Sequence, residues 1–213
     1  MILHIGYSKA GSSFIQDEIL ARTDTHNIIS NEGMAFDWSP VSPQEPAWVK
    51  APRLAEQCPN ARIILVIRHP GEWLESWWRH HTRGLSEIGC LHRWKATRTD
   101  FFERCIVPHL YWVNVHNEFS KYFSDIRVLR YSTLRENPIL FVQKFCDACD
   151  IPVPEGIQYR IVNKSRSHVW CWLRVWFNRA WLKFGPRRLD NAYLHAMKHY
   201  FSRLDGLVQK IRR

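Results

Sequence analysis

Residues 6–13, which read Gly-Tyr-Ser-Lys-Ala-Gly-Ser-Ser, combine residue types that suit the binding of an anion. The glycines let the backbone approach a ligand, and amides at the start of a following helix would present the positive end of its dipole. Lys9 adds a mobile charge, and Ser12 and Ser13 add hydroxyl donors. The pattern indicates a phosphate or sulfate site, and the alternative interpretation is a small-residue turn with a surface lysine.

The glycine spacing of this segment is that of a Walker A loop, but its lysine is displaced. Gly6 and Gly11 fit GxxxxGK[ST], whereas Ser12 stands where that motif has lysine, and the lysine lies inside the loop as Lys9. The displacement argues against a P-loop kinase or phosphotransferase, which would also need an acidic strand to hold a metal ion. That class remains the nearest chemical alternative.

Apolar runs that alternate with helical spacing must position the loop. The predicted strands are residues 2–5, 27–30, 62–67 and 126–131, and the predicted helices are residues 14–21, 71–81, 138–149 and most of the chain after Val169. Such alternation predicts an α/β fold with a central parallel sheet covered by helices on both faces. Residues 35–52 are rich in Pro and Trp without periodicity and predict a long loop with at most a helical turn.

Length and charge set limits on the class of protein. The 213 residues predict a single domain over residues 1–213, with an α/β core at 1–167 and a helical, basic, aromatic tail at 168–213. The net charge of +10 favours anionic ligands, and residues 160–213 carry 13 lysines and arginines against two acidic residues. Because no segment reads as a signal peptide or a membrane span, we expect a cytoplasmic protein.

A second motif follows the third predicted strand. Residues 61–70 end in Arg68-His69-Pro70, and Ser76 stands eight residues after Arg68 in the next helix. With the loop at residues 6–13, this pattern resembles the PAPS-dependent sulfotransferases of the bacterial and carbohydrate type, where PAPS is 3′-phosphoadenosine-5′-phosphosulfate. Their phosphosulfate loop runs approximately Pro-Lys-x-Gly-Ser/Thr-Ser/Thr, and Ser8 replaces its proline here. Residues 130–138 are similar to a third family segment, in which Ser132 replaces an acidic residue.

The resemblance implies a P-loop-like three-layer fold, PAPS as donor, PAP as product and no metal. The residues it implies for nucleotide binding are Ser8, Lys9, Ala10, Gly11, Ser12, Ser13, Arg68, Ser76, Tyr131, Asn163, Lys164 and Ser165. Arg68 and Ser76 would hold the 3′-phosphate, Arg by two parallel charge-assisted hydrogen bonds. Lys9 would also be catalytic, because it would stabilise the charge that develops on the leaving phosphate oxygen.

The acceptor needs a general base, and Glu32 is the first candidate. It follows the second predicted strand in a segment similar to Ser-Asp-Glu-Gly of bacterial members, and in a parallel sheet that strand end lies near the first loop. The alternative interpretation is that Glu32 is a solvated carboxylate in a turn, in which case His4, His80 or His81 would be the base. Metal ligation by His80, His81 and His92 lacks a carboxylate or cysteine at a recognised spacing.

The remaining patterns favour structural roles. Six cysteines, including the lone CxxC of Cys146 and Cys149, are interpreted as reduced core thiols. In the tail, one face of a predicted helix carries Trp170, Leu173, Trp176, Phe177, Ala180, Trp181 and Phe184. This face either packs on the sheet or a second subunit of an oligomer, or lies at an anionic membrane that presents a glycolipid acceptor. Nucleic-acid binding by the aromatic, basic tail is the rival function, but it would leave both motifs of the first half unexplained.

Overall fold

A computed structural model of the chain describes residues 1–6, 9–24, 26–31, 34, 47–81, 99, 112–159, 169, 171–173 and 175–176. In these ranges the strands are β1 (Ile2–His4), β2 (Ile28–Ser30), β3 (Arg62–Ile67) and β4 (Ile126–Arg130). The helices are α1, α2 (Ala47–Gln57), α3 (Pro70–His81), α4 (Trp112–Phe119), α5 (Tyr131–Glu136) and α6 (Pro138–Cys149). Helix α1 is α-helical over Ser12–Phe14, π-helical over Ile15–Ile19 and 3₁₀ over Leu20–Arg22.

The four strands form one parallel sheet in the order β2-β1-β3-β4. Residues 63–66 of the central strand β3 are all 0% exposed, which explains their unbroken β-branched and leucine sequence, because a parallel strand is covered on both faces. The edge strands β2 and β4 each include exposed residues, which are Ile29 in β2 and Arg127, Val128 and Arg130 in β4. The predicted α/β class, with a central parallel sheet flanked by helices, is confirmed.

The parallel arrangement brings the carboxyl ends of the strands to one edge of the sheet. His4 pairs in register with Ser30 and with Ile64, and Ile67 pairs with Arg130. Backbone hydrogen bonds continue just beyond β1, from Asn31 N to His4 O at 3.1 Å and from Ile5 N to Ile64 O at 2.9 Å. The loop after β1 therefore starts between the ends of β2 and β3.

Helices α3 and α6 begin and end where sequence signals place them. Pro70 opens α3, since its missing N–H is not needed at the first helical position. At the start of α6 the Asn137 side chain accepts a hydrogen bond from Leu140 N at 3.0 Å, and Asp150 closes the helix with a left-handed φ of 52°. The buried face of α6 includes Phe141, Phe145 and Cys149.

The prediction of a long loop over residues 35–52 is wrong for its last six residues. Helix α2 starts at Ala47 and runs through Pro52, while residues 35–46 lie outside the described part of the chain. Proline normally ends a helix because it removes a hydrogen bond to the carbonyl four residues earlier. Here packing against α4, with Ala47 and Ala51 almost completely buried, offsets that loss.

The chain divides into two compact units. The first comprises Met1–Trp77 and Phe102–Ser165 and contains the sheet, and the second comprises Trp78–Phe101 and Arg166–Arg213. In the second unit Val169, Cys171–Leu173, Val175 and Trp176 are helical. Among the helices that the structure describes, none has both the length and the apolar character that a membrane span requires.

Candidate functional site

The loop between β1 and α1 has an unusual backbone. Lys9 has a φ of 68°, although a left-handed conformation is uncommon outside glycine, and Gly11 has a φ of 95° directly before α1. Ala10 between them is 0% exposed. The first amides of α1 have no carbonyl partners within the helix, and no side chain caps them at Gly11. The loop thus presents backbone donors beside a lysine, as an anion site requires.

Gly11 is also required by packing. A Cβ at this position would lie 2.7 Å from Leu134 Cδ2 and 3.3 Å from Tyr131 Cδ2, both in α5. Helix α5 therefore packs directly on the loop, and any side chain at residue 11 would separate them. The resemblance of residues 130–138 to a family segment had indicated Tyr131. No feature of the sequence predicted that Leu134 lies against Gly11.

Arg68 connects the loop to both neighbouring elements. Its Nη1 donates to the backbone carbonyl of Lys9 at 2.8 Å, and its Cζ lies 4.5 Å from the ring centroid of Tyr131. The guanidinium has five N–H donors in a fixed fork, so the carbonyl uses one of them. Three predicted site residues, Lys9, Arg68 and Tyr131, are thereby brought together at the carboxyl edge of the sheet.

Glu72 is a neighbour of Arg68 that the sequence analysis missed. Its Oε2 lies 3.7 Å from Arg68 Nε, and its Oε1 accepts a hydrogen bond from Arg135 Nη1 at 3.1 Å. Glu72 raises the pKa of Arg135 through this hydrogen bond. The signal available in the sequence was the i,i+4 spacing of Arg68 and Glu72, which brings two side chains to one face of a helix start.

The predicted serines differ in accessibility. Ser12 is 1% exposed and Ser76 is 8% exposed, whereas Ser13 is half-buried. Ser76 lies in α3, between Trp73 and Trp77 in the sequence. The rings of these two tryptophans stack with their centroids 4.9 Å apart. Of the two described serines of the loop, Ser13 is therefore the more open to a ligand, and Ser12 is buried.

Five predicted site residues lie outside the described part of the chain. They are Ser8, Glu32, Asn163, Lys164 and Ser165. The approach to Glu32 is described, because Ser30 pairs with His4 and Asn31 N donates to His4 O. Asn31, the residue before Glu32, thus lies beside the end of β1.

The histidines proposed as alternative bases have different surroundings. His4 is 0% exposed, and burial lowers its pKa to about 4, so its ring is neutral at pH 7 and enclosed. His80 and His81 lie in α3, and their side chains are outside what the structure describes. Within the described residues no group of three or more His, Cys, Asp or Glu side chains could hold a metal ion.

Cys146 and Cys149 are buried in α6 and are free thiols. Burial raises the pKa of Cys146 to about 11 and that of Cys149 to about 12. Both therefore stay protonated at pH 7, and neither is a thiolate nucleophile or metal ligand there. Their place on the inner face of α6 fits the interpretation of core thiols.

Comparisons with known proteins give one family match and two structural similarities. A family model described as a sulfotransferase domain matches residues 1–169. A sulfotransferase structure from Alicyclobacillus acidocaldarius is 15% identical over 81% of this chain, with a TM-score of 0.41, and this chain covers 64% of its length. Mouse sulfotransferase SULT7A1 complexed with PAP is 12% identical over 91% of this chain and 72% of its own, with a TM-score of 0.49. A search of curated proteins finds no match.

Proposed function

Because this chain belongs to the sulfotransferase domain family, we propose that it transfers the sulfuryl group of PAPS to a hydroxyl or amine of an acceptor. The acceptor classes we favour are a carbohydrate, a glycolipid or a small metabolite. The observation that carries the proposal is the contact of Arg68 with the Lys9 carbonyl and the Tyr131 ring. It joins the loop motif and the strand-end motif, which are 59 residues apart in the sequence, in one site.

The residues at this edge fit a ligand with several anionic groups. Lys9 and Arg68 supply positive charge, and the amides that follow Gly11 supply backbone donors at the start of α1, where no side chain caps the helix at Gly11. The Arg68 side chain is 16% exposed, so its interaction with a phosphate would be only weakly screened by water. The carboxylate of Glu72 offsets part of the positive charge of Arg68. Arg135 pairs with the other oxygen of Glu72 and adds a positive charge to the same group of side chains.

The chain's own groups would act mainly by positioning and electrostatics. PAPS supplies the activated sulfuryl group, and its transfer needs acceptor and leaving group in line. Lys9 and the amides of residues 11–13 would hold the phosphosulfate, with Lys9 stabilising the charge on the leaving oxygen. Arg68 and Ser76 would hold the 3′-phosphate, Tyr131 and residues 163–165 would line the nucleotide, and Glu32 would accept the acceptor's proton.

Calorimetric titration of the whole chain with PAP and with ATP in the presence of a chelator tests the donor. We expect PAP to bind at least about tenfold more tightly, because Arg68 gains charged hydrogen bonds only with a 3′-phosphate. Magnesium should not reverse the order. Tighter binding of ATP with magnesium would contradict the proposal and favour a phosphotransferase.

We further propose that the second unit contacts an anionic membrane surface. Val169, Trp172, Leu173 and Trp176 are 50% to 67% exposed, whereas Cys171 and Val175 are buried. The tail prediction had placed Leu173 and Trp176 on an aromatic face that either packs on the sheet or a second subunit or lies at an anionic membrane, and the exposure of both residues in the single chain supports the membrane alternative. Exposed tryptophans within a segment that carries 13 basic and two acidic residues are typical of a membrane interface.

Vesicle sedimentation tests the membrane contact. We expect the chain to bind anionic vesicles at low salt, to be released at high salt, and to bind neutral vesicles weakly. The double variant Trp172→Ser with Trp176→Ser should lose most of this binding. Trp48→Ser, at a tryptophan of α2 that is 53% exposed, is the matched control. Equal binding by both variants would exclude this surface, and no binding by the unaltered chain would exclude the membrane contact.

A further inference from the structure

His4 is a buried histidine that the mechanism above does not use. It is the last residue of β1 and is 0% exposed, and its ring meets Phe145 of α6 edge to face at a centroid distance of 5.7 Å. Its Nδ1 lies 2.7 Å from Ser30 Oγ, the side chain of its register partner on β2. Because the ring is fully buried beside the loop, the nitrogen that carries its proton decides whether the loop faces a hydrogen-bond donor or an acceptor.

The proton positions follow from Gln16, in the π-helical turn of α1. Gln16 Nε2 lies 3.2 Å from Ser30 O and 3.1 Å from Ser30 Oγ. A backbone carbonyl only accepts, so the side-chain atom facing it must be the amide nitrogen, which has two hydrogens, one for each oxygen. Ser30 Oγ thus accepts from Gln16, and its own proton has His4 Nδ1, 2.7 Å away, as an acceptor when that nitrogen is unprotonated. His4 then carries its proton on Nε2.

The Nε2 side of the ring faces the loop. It has no hydrogen-bond partner among the residues that the structure describes. A Cβ on Gly6 would lie 2.8 Å from His4 Nε2 and 2.7 Å from Ser12 Oγ, so both atoms border the same space under the loop. The ring of His4 therefore lies against Gly6, the first glycine of the loop, and near the buried hydroxyl of Ser12.

We propose that Gln16, Ser30 and His4 form a hydrogen-bond relay that fixes His4 as the Nε2–H tautomer and so positions the residue 6–12 loop for its anionic ligand. His4 is a positioning residue, since it is enclosed beneath the loop. With Nδ1 occupied by the Ser30 hydroxyl, the nitrogen under the loop presents a donor and not a lone pair. A lone pair there would oppose the negative charge that the loop binds. The ligand part of this inference rests on the proposed function.

Nitrogen NMR of the chain labelled in its eleven histidines tests the relay directly, without any ligand. His4→Phe identifies the His4 signals by their loss. We expect an unprotonated Nδ1 and a protonated Nε2 for His4, and a mixture of tautomers in Ser30→Ala, which removes the hydroxyl that sets the choice. A protonated Nδ1 in the unaltered chain would overturn the relay.

Calorimetry with PAP then tests the coupling of the relay to the loop. Loss of one neutral hydrogen bond should weaken PAP about fivefold in Ser30→Ala and by a similar factor in Gln16→Leu. Ser120→Ala, which removes an exposed hydroxyl bonded to His116 O, is the matched control and should change nothing. Unchanged PAP affinity in folded Ser30→Ala would overturn the positioning role. If the unaltered chain does not bind PAP, the proposed function fails, and the tautomer measurement still decides the relay.

Discussion

Strand β3 carries an arginine at each end, and the two have opposite surroundings. Arg62, at the amino end, donates to Asp125 Oδ2 at 2.6 Å, to Asp150 Oδ2 at 2.5 Å and to Ala148 O at 2.9 Å. Arg68, just beyond the carboxyl end, contacts a carbonyl and an aromatic ring, with one carboxylate at 3.7 Å. Two carboxylates lie within hydrogen-bond distance of Arg62 and neutralise it, whereas the Glu72 carboxylate lies 3.7 Å from Arg68 Nε.

The cavity at the amino edge supports the same distinction. An open groove of about 610 Å³ lies there, and Asp24, Asp125 and Asp150 contribute to its lining. Arg62 also lines this groove, but the three carboxylates outnumber it, so the groove would disfavour a nucleotide that carries several negative charges. At the carboxyl edge, Arg68 is bonded to a loop that contains two left-handed residues. This arrangement suits an anion better than the groove at the amino edge does. The sign of the charge and the backbone donors therefore favour the carboxyl edge as the proposed site, although the groove lies at the amino edge.

The largest effect is expected at Lys9, the side chain that we propose stabilises the charge on the leaving phosphate oxygen. Lys9→Ala should lower turnover with PAPS about 10³-fold, as removal of a preorganised charge at the reacting group does. Its backbone carbonyl still accepts from Arg68, so the fold should be retained. Lys121→Ala, which removes an exposed lysine paired with Glu118, is the control. Turnover of Lys9→Ala within about twofold of the unaltered chain would refute the electrostatic role.

Glu32 comes next in size. Glu32→Gln should lower turnover on the true acceptor about 10²-fold while PAP affinity stays unchanged, because the amide cannot accept the acceptor's proton. Glu155→Gln in the exposed turn before Gly156 is the matched control. A fully active Glu32→Gln variant would move the search to the histidines outside the core.

The sequence predicts most of the fold because its buried strands have a clear composition. The bounds of β3 and α6 agree with the prediction to the residue, since an apolar run and a proline after a capping asparagine are local signals. Helix α2 could not be predicted, because its Pro52 is compatible with a helix only through packing on α4. The contacts of Glu72 with Arg135 and of Gln16 with Ser30 depend on strand register and on the packing of elements that are distant in the sequence. The spacing of residues along the chain does not predict such contacts.

Arg68→Ala tests the arginine at the carboxyl edge. We expect PAP affinity to fall about thirtyfold and adenosine monophosphate affinity only about threefold, since charged hydrogen bonds to the 3′-phosphate are lost in one case alone. The common threefold loss reflects a looser loop after removal of the bond to Lys9 O. Arg127→Ala, an exposed arginine paired with Asp125, is the control. Equal losses for both nucleotides would refute the 3′-phosphate assignment and leave Arg68 as a support of the loop.

Arg62→Ala tests the neutralised arginine and should have the smallest effect on function. PAP affinity should stay within about twofold, while the free energy of unfolding falls by about 1 kcal/mol, a value reduced for the partial exposure of the pairs. A larger loss of PAP affinity in a folded variant would contradict the division between the two edges.

The pH dependence of this loss separates ion pairing from packing. Hydrogen bonds from Arg62 and then Arg127 lower the pKa of Asp125 below its ordinary value of 3.8. A carboxyl group with a lowered pKa stabilises the folded chain above its unfolded pKa, and this contribution is lost as the pH falls through the folded pKa. The stability difference between the unaltered chain and Arg62→Ala should therefore be full at neutral pH and shrink as the pH falls below about 3.8. Urea denaturation of both chains across this range measures it, and a difference independent of pH would assign the role of Arg62 to packing and to its bond with Ala148 O.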